Sequence, residues 1–480
     1  MVRELKKVAE CIWEIEPTGN MKVPARIYAN DQILEEIKED ESIKQACNVA
    51  TLPGIVKYSL AMPDIHSGYG FPIGGVAAFD YQEGILSPGG VGYDINCGVR
   101  IAKTSLELKD IEGKIRKIVN SIFENVPSGL GSSGAIPKQN VKELKEVMIK
   151  GAKWAIEKGY GEAEDLEYCE EHGQIAGADP EIVSQRAIER GLNQVGTVGS
   201  GNHFVELDYV DEIYDEKIAS MLGITKNQIM IQLHSGSRGF GYQICDDFIK
   251  IMRNAASKYK IPLADMQLAS APIQSPEGKK YFAAMACAAN YAWANRQTIM
   301  YLTGEAVRKA LNLSKKDFSL KLIYDVAHNI AKIEEYNVDG TMRKVYVHRK
   351  GATRAFGPNN IVLPSKYKTI GQPVLIPGDM GSFSFILVGT EKAMKETFGS
   401  TCHGAGRLLS RTAAKRTASG RNISKELEEK GIIVRSDSKA TLLEEIPEAY
   451  KDVSIVVDVV HKAGLATKVA RLKPLGVVKG

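Results

Sequence analysis

The sequence predicts an α+β protein, one large interwoven mixed domain over residues 1–480, and three observations lead there. Strand-like and helical stretches alternate with no long linker, low-complexity tract or internal repeat. Two apolar strands each deliver a histidine at their end, Ile229–Leu233 into His234 and Leu320–Val326 through Ala327 into His328. No strand runs into G-x-G-x-x-G or G-x-x-x-x-G-K-[ST], which excludes an obvious Rossmann or P-loop core. Length alone, 480 residues, would suggest roughly three domains. Residues able to ligate a metal run from Asp94 to His403, however, and one site gathers them only if distant segments fold together.

In chain order, Ile33–Ala46 carries apolar residues at helical spacing, Gly75–Phe79 reads as a short buried strand, and Leu108–Val126 reads as a helix. Glu162–Glu171 holds six acids, expected on a solvated helix face or loop. Tyr281–Leu311 is a long, Ala-rich helical stretch with the look of scaffold. Val374-Leu375-Ile376 is a strand ending in the turn Pro377-Gly378-Asp379-Met380-Gly381. Arg407–Ala418 reads as a helix, with Ser400 and Thr401 as N-caps ahead of it.

Hydrophobic residues make up 44% of the chain, ample for a core, and 62 basic against 58 acidic residues leave a net charge of +4. That balance gives no general case for nucleic acid, so any such case is local. Met1–Glu10 lacks the apolar core of a signal peptide and no run approaches a membrane span, so a cytoplasmic protein is expected. The seven cysteines are scattered, odd in number and never spaced C-x-x-C, which fits a reduced compartment without disulfides.

The chemistry concentrates in short Gly-, Asn- and Ser-rich settings: Asp94-Ile95-Asn96-Cys97-Gly98, Gly199-Ser200-Gly201-Asn202-His203-Phe204, His234-Ser235-Gly236-Ser237-Arg238-Gly239, Asp325-Val326-Ala327-His328-Asn329 and Thr401-Cys402-His403-Gly404-Ala405-Gly406. His66, in Met62–Gly70, has similar surroundings. Glycines let backbone N–H groups approach anionic oxygens, while Cys, His and Asp are transition-metal ligands. Asp94, Cys97, His203, His234 and His328 are too many for one ion. A pair of metals sharing the thiolate accommodates them, and paired cations suit phosphoryl chemistry. Singly, each Cys is as readily a small buried hydrophobe and each His a satisfied polar group. His403, expected at a helix N-terminus, reads equally as a nucleophile toward a bound triphosphate and as a phosphate contact.

Arg407, Arg411 and Lys415 stand at i, i+4 spacing, and Arg343, Lys344, Arg349, Lys350 and Arg354 form a second acid-free cluster; such stripes can track a phosphate backbone. With Arg238, the first three are the candidate RNA contacts. The ligand set alone also admits a two-metal phosphodiesterase or phosphatase acting on RNA ends, and the basic clusters alone admit a non-catalytic RNA binder.

Together with Ser87–Arg100 and Gly399–Arg407, these motifs closely resemble the RtcB RNA ligases, over essentially the whole chain and most of all the archaeal members that act in tRNA splicing. The resemblance implies the family's compact mixed domain and a GTP- and manganese-dependent ligase. Such an enzyme joins a 2′,3′-cyclic-phosphate or 3′-phosphate RNA end to a 5′-hydroxyl end, through a guanylylated histidine and an RNA-3′-phosphate-guanylate. Carried over by position, His403 takes GMP, while Asp94, Cys97, His203, His234 and His328 bind two Mn ions with Cys97 bridging. Asn202, His203, Phe204, Val205, Glu206, His328, Asn329, Pro377, Gly378, Asp379, Met380, Ser384, His403, Gly404, Ala405, Gly406, Tyr450 and Lys479 line the guanylate pocket. Glu206 and Lys479 would choose guanine, and Asp64 would orient His403 or be a turn residue. Asp379 departs from the Ser that many relatives carry in this turn. Zinc or cobalt also suits the ligand chemistry, so manganese rests on the resemblance. The implied partners are RNA ends such as tRNA halves, and the small acidic activator archease.

Overall fold

In the computed structural model, residues 4–480 are described; the first three residues of the expected leaderless N-terminus lie outside them. Two large sheets organise the chain. One runs in the spatial order Leu320–Ala327, Gly98–Glu107, Gln228–Ser235, Phe204–Ile213, Ala466–Lys479, Ser384–Gly389, Pro373–Ile376, with Ile433–Ser436 added in parallel to Ala466–Lys479. The other runs Lys6–Ala9, Ile12–Ile15, Ala25–Tyr28, Ile55–His66, Ile73–Asp80, Thr341–Lys350, Asn329–Val338. Both strand-to-histidine segments are strands of the first sheet, and His328 sits where the chain leaves it for the second. Among the described residues no helix is long and apolar enough to cross a membrane.

The expected scaffold helix is Pro276–Leu311, 36 residues long. Ser275 caps it by accepting from Gly278 N, Pro276 stands at its first turn, and Asn312 ends it in the left-handed region at φ 54°. Its middle, Ala283–Met300, is buried on every side, as a helix apolar all round requires. The polar side chains projecting from that middle fasten loops. Asn295 Oδ1 accepts from Gly196 N at 2.7 Å and Thr197 N at 3.1 Å, and its Nδ2 donates to Gly236 O at 3.0 Å. Arg296 pairs with Asp325 at 2.7 Å and donates to Asn96 O at 2.6 Å and Ser235 O at 3.1 Å. One rigid element thus ties down the Asp94–Cys97 turn, the loop that precedes His203 and the residues that follow His234.

Several expectations give way to local physics. Ile33–Ala46 is two helices, Asp31–Ile37 and Ser42–Val49, and Leu108–Val126 is a short 3-10 turn followed by Ile115–Asn125 after Gly113 at φ 71°. The acidic run is not wholly solvated. Glu170 is fully buried, pairs with Lys332 and accepts from Ala327 N at 3.0 Å, while Glu171 pairs with Lys332 at 3.0 Å and Arg354 at 2.6 Å. That network also takes three members of the second basic cluster off any surface phosphate track: Arg349, buried, pairs with Glu334 at 2.7 Å, and Lys350 and Arg354 are buried with it, while Arg343 and Lys344 stay exposed. Glu170 and Glu171, free-looking in sequence, meet partners more than a hundred residues away.

Candidate active site

The ladder of the first sheet sets the geometry. Val99 pairs with His234, Phe204 with His234, and Ala327 with Gly98, so four strands bring Cys97, His203, His234 and His328 to one edge. The turns are stapled: Cys97 N donates to Asp94 O at 3.0 Å, His328 N to Cys97 O at 2.9 Å, and Asn329 Nδ2 to Asp94 O at 3.1 Å. Asp94 Oδ1 accepts from Ser237 N at 2.9 Å. Gly236 is required there, because a Cβ would stand 2.4 Å from both Asp94 carboxylate oxygens.

Cys97 Sγ lies 3.1 Å from His203 Nε2 and 3.2 Å from His234 Nε2; His234 Nε2 lies 3.2 Å from His328 Nε2, and His203 Nε2 lies 2.9 Å from Asp94 Oδ2. Sulfur, three imidazole nitrogens and a carboxylate thus converge, and the first three donors lie within 4.8 Å of one another. Asp94 Oδ2 is buried and accepts no hydrogen bond despite that short approach. A divalent cation held by these donors would satisfy it, so the residues present fit a metal. Burial first, then His328 and His203, keeps His234 neutral, and burial followed by His403 does the same for His328; neutral imidazole is the ligand form.

These donors open on a cavity of about 810 Å³. Asn202, Phe204, Glu206, Asn329, Pro377–Met380, His403–Gly406, Tyr450 and Lys479 line it, as do Arg238, Arg407 and Arg411. Val205 and Ser384 do not. Strand alternation turns Val205 into the core opposite Glu206. Ser384 stands behind the turn, accepting from Gly378 N at 3.2 Å and Gln232 Nε2 at 3.1 Å. Asp379 Oδ1 accepts from Gly381 N at 2.8 Å within its own turn, and burial raises its carboxyl pKa.

His403 is not at a helix N-terminus. Ser400 and Thr401 belong to the strand Ser400–Cys402, and the helix begins at Arg411 with Ser410 as its cap. The ring is positioned instead by a carboxylate. Asp64 Oδ2 accepts from His403 Nδ1 at 2.5 Å and from His403 N at 2.8 Å, which leaves Nε2 facing the cavity, and the ring meets that of His328 edge-on at 4.8 Å. His66, whose Nδ1 lies 2.8 Å from Asp64 O, lines the cavity beside it.

The expected basic stripe holds in part, with Arg411 and Lys415 exposed on one helix. Arg407 lies outside the helix and is spent on Glu445 at 3.0 Å, Tyr450 Oη at 3.0 Å and Glu444 O at 2.7 Å, while Lys415 pairs with Glu444 at 2.6 Å. Sequence reasoning missed Glu445, which is fully buried and also faces Lys479 at 3.7 Å and bonds Tyr450. It missed Arg190, Tyr93 and the half-exposed Tyr242 as well; Tyr93 and Tyr242 stack at 4.8 Å on the far wall. None of these carries a local motif that marks it.

A buried sulfur–imidazole–carboxylate cluster opening on a cavity with a carboxylate-held histidine defines a metal-capable enzyme centre. Residues 45–480 match the sequence model of the tRNA-splicing ligase RtcB family. Proteins named tRNA-splicing ligase RtcB from Archaeoglobus fulgidus (54% identical over 478 residues, 99% of each chain), Thermococcus kodakarensis (52% over 477, 99% of each) and Methanococcus maripaludis (52% over 482, 100% of each) are similar along their full length. The chain belongs to the RtcB family.

Proposed function

We propose that this protein is an RNA ligase of tRNA splicing that uses GTP and manganese to join a 2′,3′-cyclic-phosphate or 3′-phosphate end to a 5′-hydroxyl end, acting in the cytosol as one interwoven domain. The family and its tRNA-splicing relatives support the reaction class. The observation that carries the chemistry is the pairing of His403 with Asp64 beside the ligand cluster.

With Nδ1 donating to Asp64, the His403 Nε2 lone pair faces the cavity as the nucleophile toward the α-phosphate of GTP, and pyrophosphate leaves. Water first opens a 2′,3′-cyclic phosphate to the 3′-phosphate, which takes the GMP from Nε2; the 5′-hydroxyl of the other end then gives up its proton and attacks that phosphate, releasing GMP. Metals held by Asp94, Cys97, His203, His234 and His328 would polarise the phosphate and neutralise developing charge. Glu206 accepts from the guanine N–H edge while Lys479 donates to O6, and Tyr450 stands beside them. Arg238, tied to Thr197 Oγ1 at 3.0 Å and Gly129 O at 3.0 Å, presents the remainder of its guanidinium to incoming phosphate. Archease is the proposed activator for repeated turnover.

Incubation with α-labelled GTP and Mn²⁺, followed by peptide mass mapping, tests this. The expected result is an acid-labile, base-stable GMP adduct on His403 that is chased by RNA bearing a 3′-phosphate. A folded, metal-loaded protein with no adduct would assign the site to the two-metal hydrolase instead.

A further inference from the structure

Behind the cavity wall lies a second carboxyl that the ligase reading does not use. Glu206 and Asp208 stand two residues apart on the strand Phe204–Ile213, so both point to the same face of the sheet. Both are buried, Asp208 completely, and they stand close enough for each carboxyl to perturb the other. Neither Asp208 oxygen has a conventional donor, and the neighbouring Gln232 Oε1, cross-strand from Glu206, is unpartnered too.

Charge does not relieve the pair. Glu206 is faced by Lys479 from the adjacent strand and by Asp379 from the Pro377–Met380 turn, and Lys479 is already claimed by Glu445, itself paired with Arg407. Asp208 is faced by Glu206 alone. Two ionised carboxylates in contact, one of them without any donor, are strongly disfavoured in a dry interior, so such a pair keeps a proton between its members.

We propose that Glu206 and Asp208 work as one proton-sharing pair that selects the nucleobase. In the open cavity the pair holds a single proton; when a base edge with two adjacent N–H donors arrives, that proton sits on Asp208 and Glu206 is left ionised to accept both. The transfer balances internally, from one carboxyl oxygen to the other, with no net proton uptake. Adenine offers an acceptor where guanine offers the ring N–H, so it leaves the Glu206 carboxylate unanswered. Asp208 is therefore a positioning residue, acting through Glu206 without touching the base. The inference rests on the guanylate reading of the cavity.

The pair predicts a pH dependence with a definite sign. Burial raises Asp208 to about 7 and Glu206 well above its ordinary range. Below about pH 7 the pair carries a second proton that guanine must expel, so selectivity for guanine falls with acidity, by up to tenfold per pH unit.

The test compares GMP and AMP dissociation constants on the full-length protein from pH 5.5 to 8.5, because the phosphate ionisation of the two ligands cancels in their ratio. In the wild type the AMP/GMP ratio should collapse on the acid side. In Asp208→Asn, which fixes a neutral partner able to donate to Glu206, the ratio at pH 8 should stay within threefold and the acid limb should move down by a unit or more. A superimposable profile in Asp208→Asn overturns the proposal. Should that variant misfold, calorimetry of wild-type GMP and AMP binding in buffers of different ionisation enthalpy serves instead: near pH 6 GMP should release about one more proton than AMP, and near pH 8 none. An equal release at both pH values also overturns it. Glu206→Gln separates the two layers, because an AMP/GMP ratio unchanged at every pH in that variant removes the guanylate reading itself.

Discussion

Replacing Asp64 by Asn isolates how much of the His403 chemistry depends on one carboxylate oxygen. Asp64 is fully buried, and its Oδ2 alone receives both the ring Nδ1–H at 2.5 Å and the backbone N–H at 2.8 Å of His403, while Oδ1 has no partner. An asparagine therefore has no comfortable orientation. With its oxygen toward His403, the amide N–H₂ is buried without an acceptor; flipped, it presents N–H to two donors and favours the tautomer whose Nε2 carries the proton. A hydrogen bond to a charged partner contributes about 1.5–3 kcal/mol, which converts to a factor of roughly 10 to 150 in rate if it is lost only where the ring must attack. The wrong tautomer deepens that loss. Single-turnover formation of the GMP adduct should thus slow by about 100-fold or more in Asp64→Asn, with GTP affinity within threefold, since the base pocket is untouched. Adduct formation within threefold of the wild type would refute the positioning argument.

Cys97→Ala removes the sulfur that both His203 and His234 approach; equilibrium dialysis against Mn²⁺ should find two ions per wild-type chain and no more than one per variant chain. Lys479→Ala should weaken GTP binding about tenfold or more, in keeping with a lost charged hydrogen bond, and leave ATP binding unaltered in a filter-binding assay. Glu170→Ala removes one of the two carboxylates that Lys332 and Arg354 share, leaving Glu171 to both, and should cost about 1.5–3 kcal/mol in denaturant unfolding, the worth of a charged hydrogen bond. In the wild type, Lys332 first and then Arg354 pull Glu171 from 4.5 down to about 2, and Glu170 is lowered as well. Their folded pKa values lie below the unfolded ones, so this stabilisation is full above about pH 4.5 and is lost as the pH falls towards 2. Unfolding curves for Glu170→Ala and wild type should converge across that window.

The ligand-bearing segments were legible because each carries its chemistry locally: a Cys three residues after an Asp in a Gly-flanked turn, or a histidine on or just beyond an apolar strand. The scaffold helix was legible for the same reason, since Ala-rich burial on all sides needs no distant partner to be recognised. The setting of His403 was not. Ser400, Thr401 and the basic residues after it have the local composition of a helix start, yet strand pairing of Ser400–Cys402 with Ala352–Arg354 overrides that propensity. Buried charge was illegible throughout, because whether Glu170, Arg349 or Glu445 faces water is decided by residues that the fold brings from elsewhere in the chain.

Sheet register explains why so dispersed a site can be exact. His234 sits opposite both Val99 and Phe204 in its two neighbouring strands. Side chains alternate with a period of two, so slipping Gln228–Ser235 by one residue would turn His234 away from Cys97 and His203 and bring Leu233 in its place. That slip is blocked from both faces. Met230 and Ile231 are buried in different apolar clusters on opposite sides of the sheet, and Gly98 admits no side chain, because a Cβ there would meet Val326 O at 2.1 Å. The apolar pattern that makes these segments strands is therefore also what fixes the spacing of the donors. A substitution such as Ile231→Asp, far from any phosphate, should disturb metal stoichiometry through register before it touches any ligand directly.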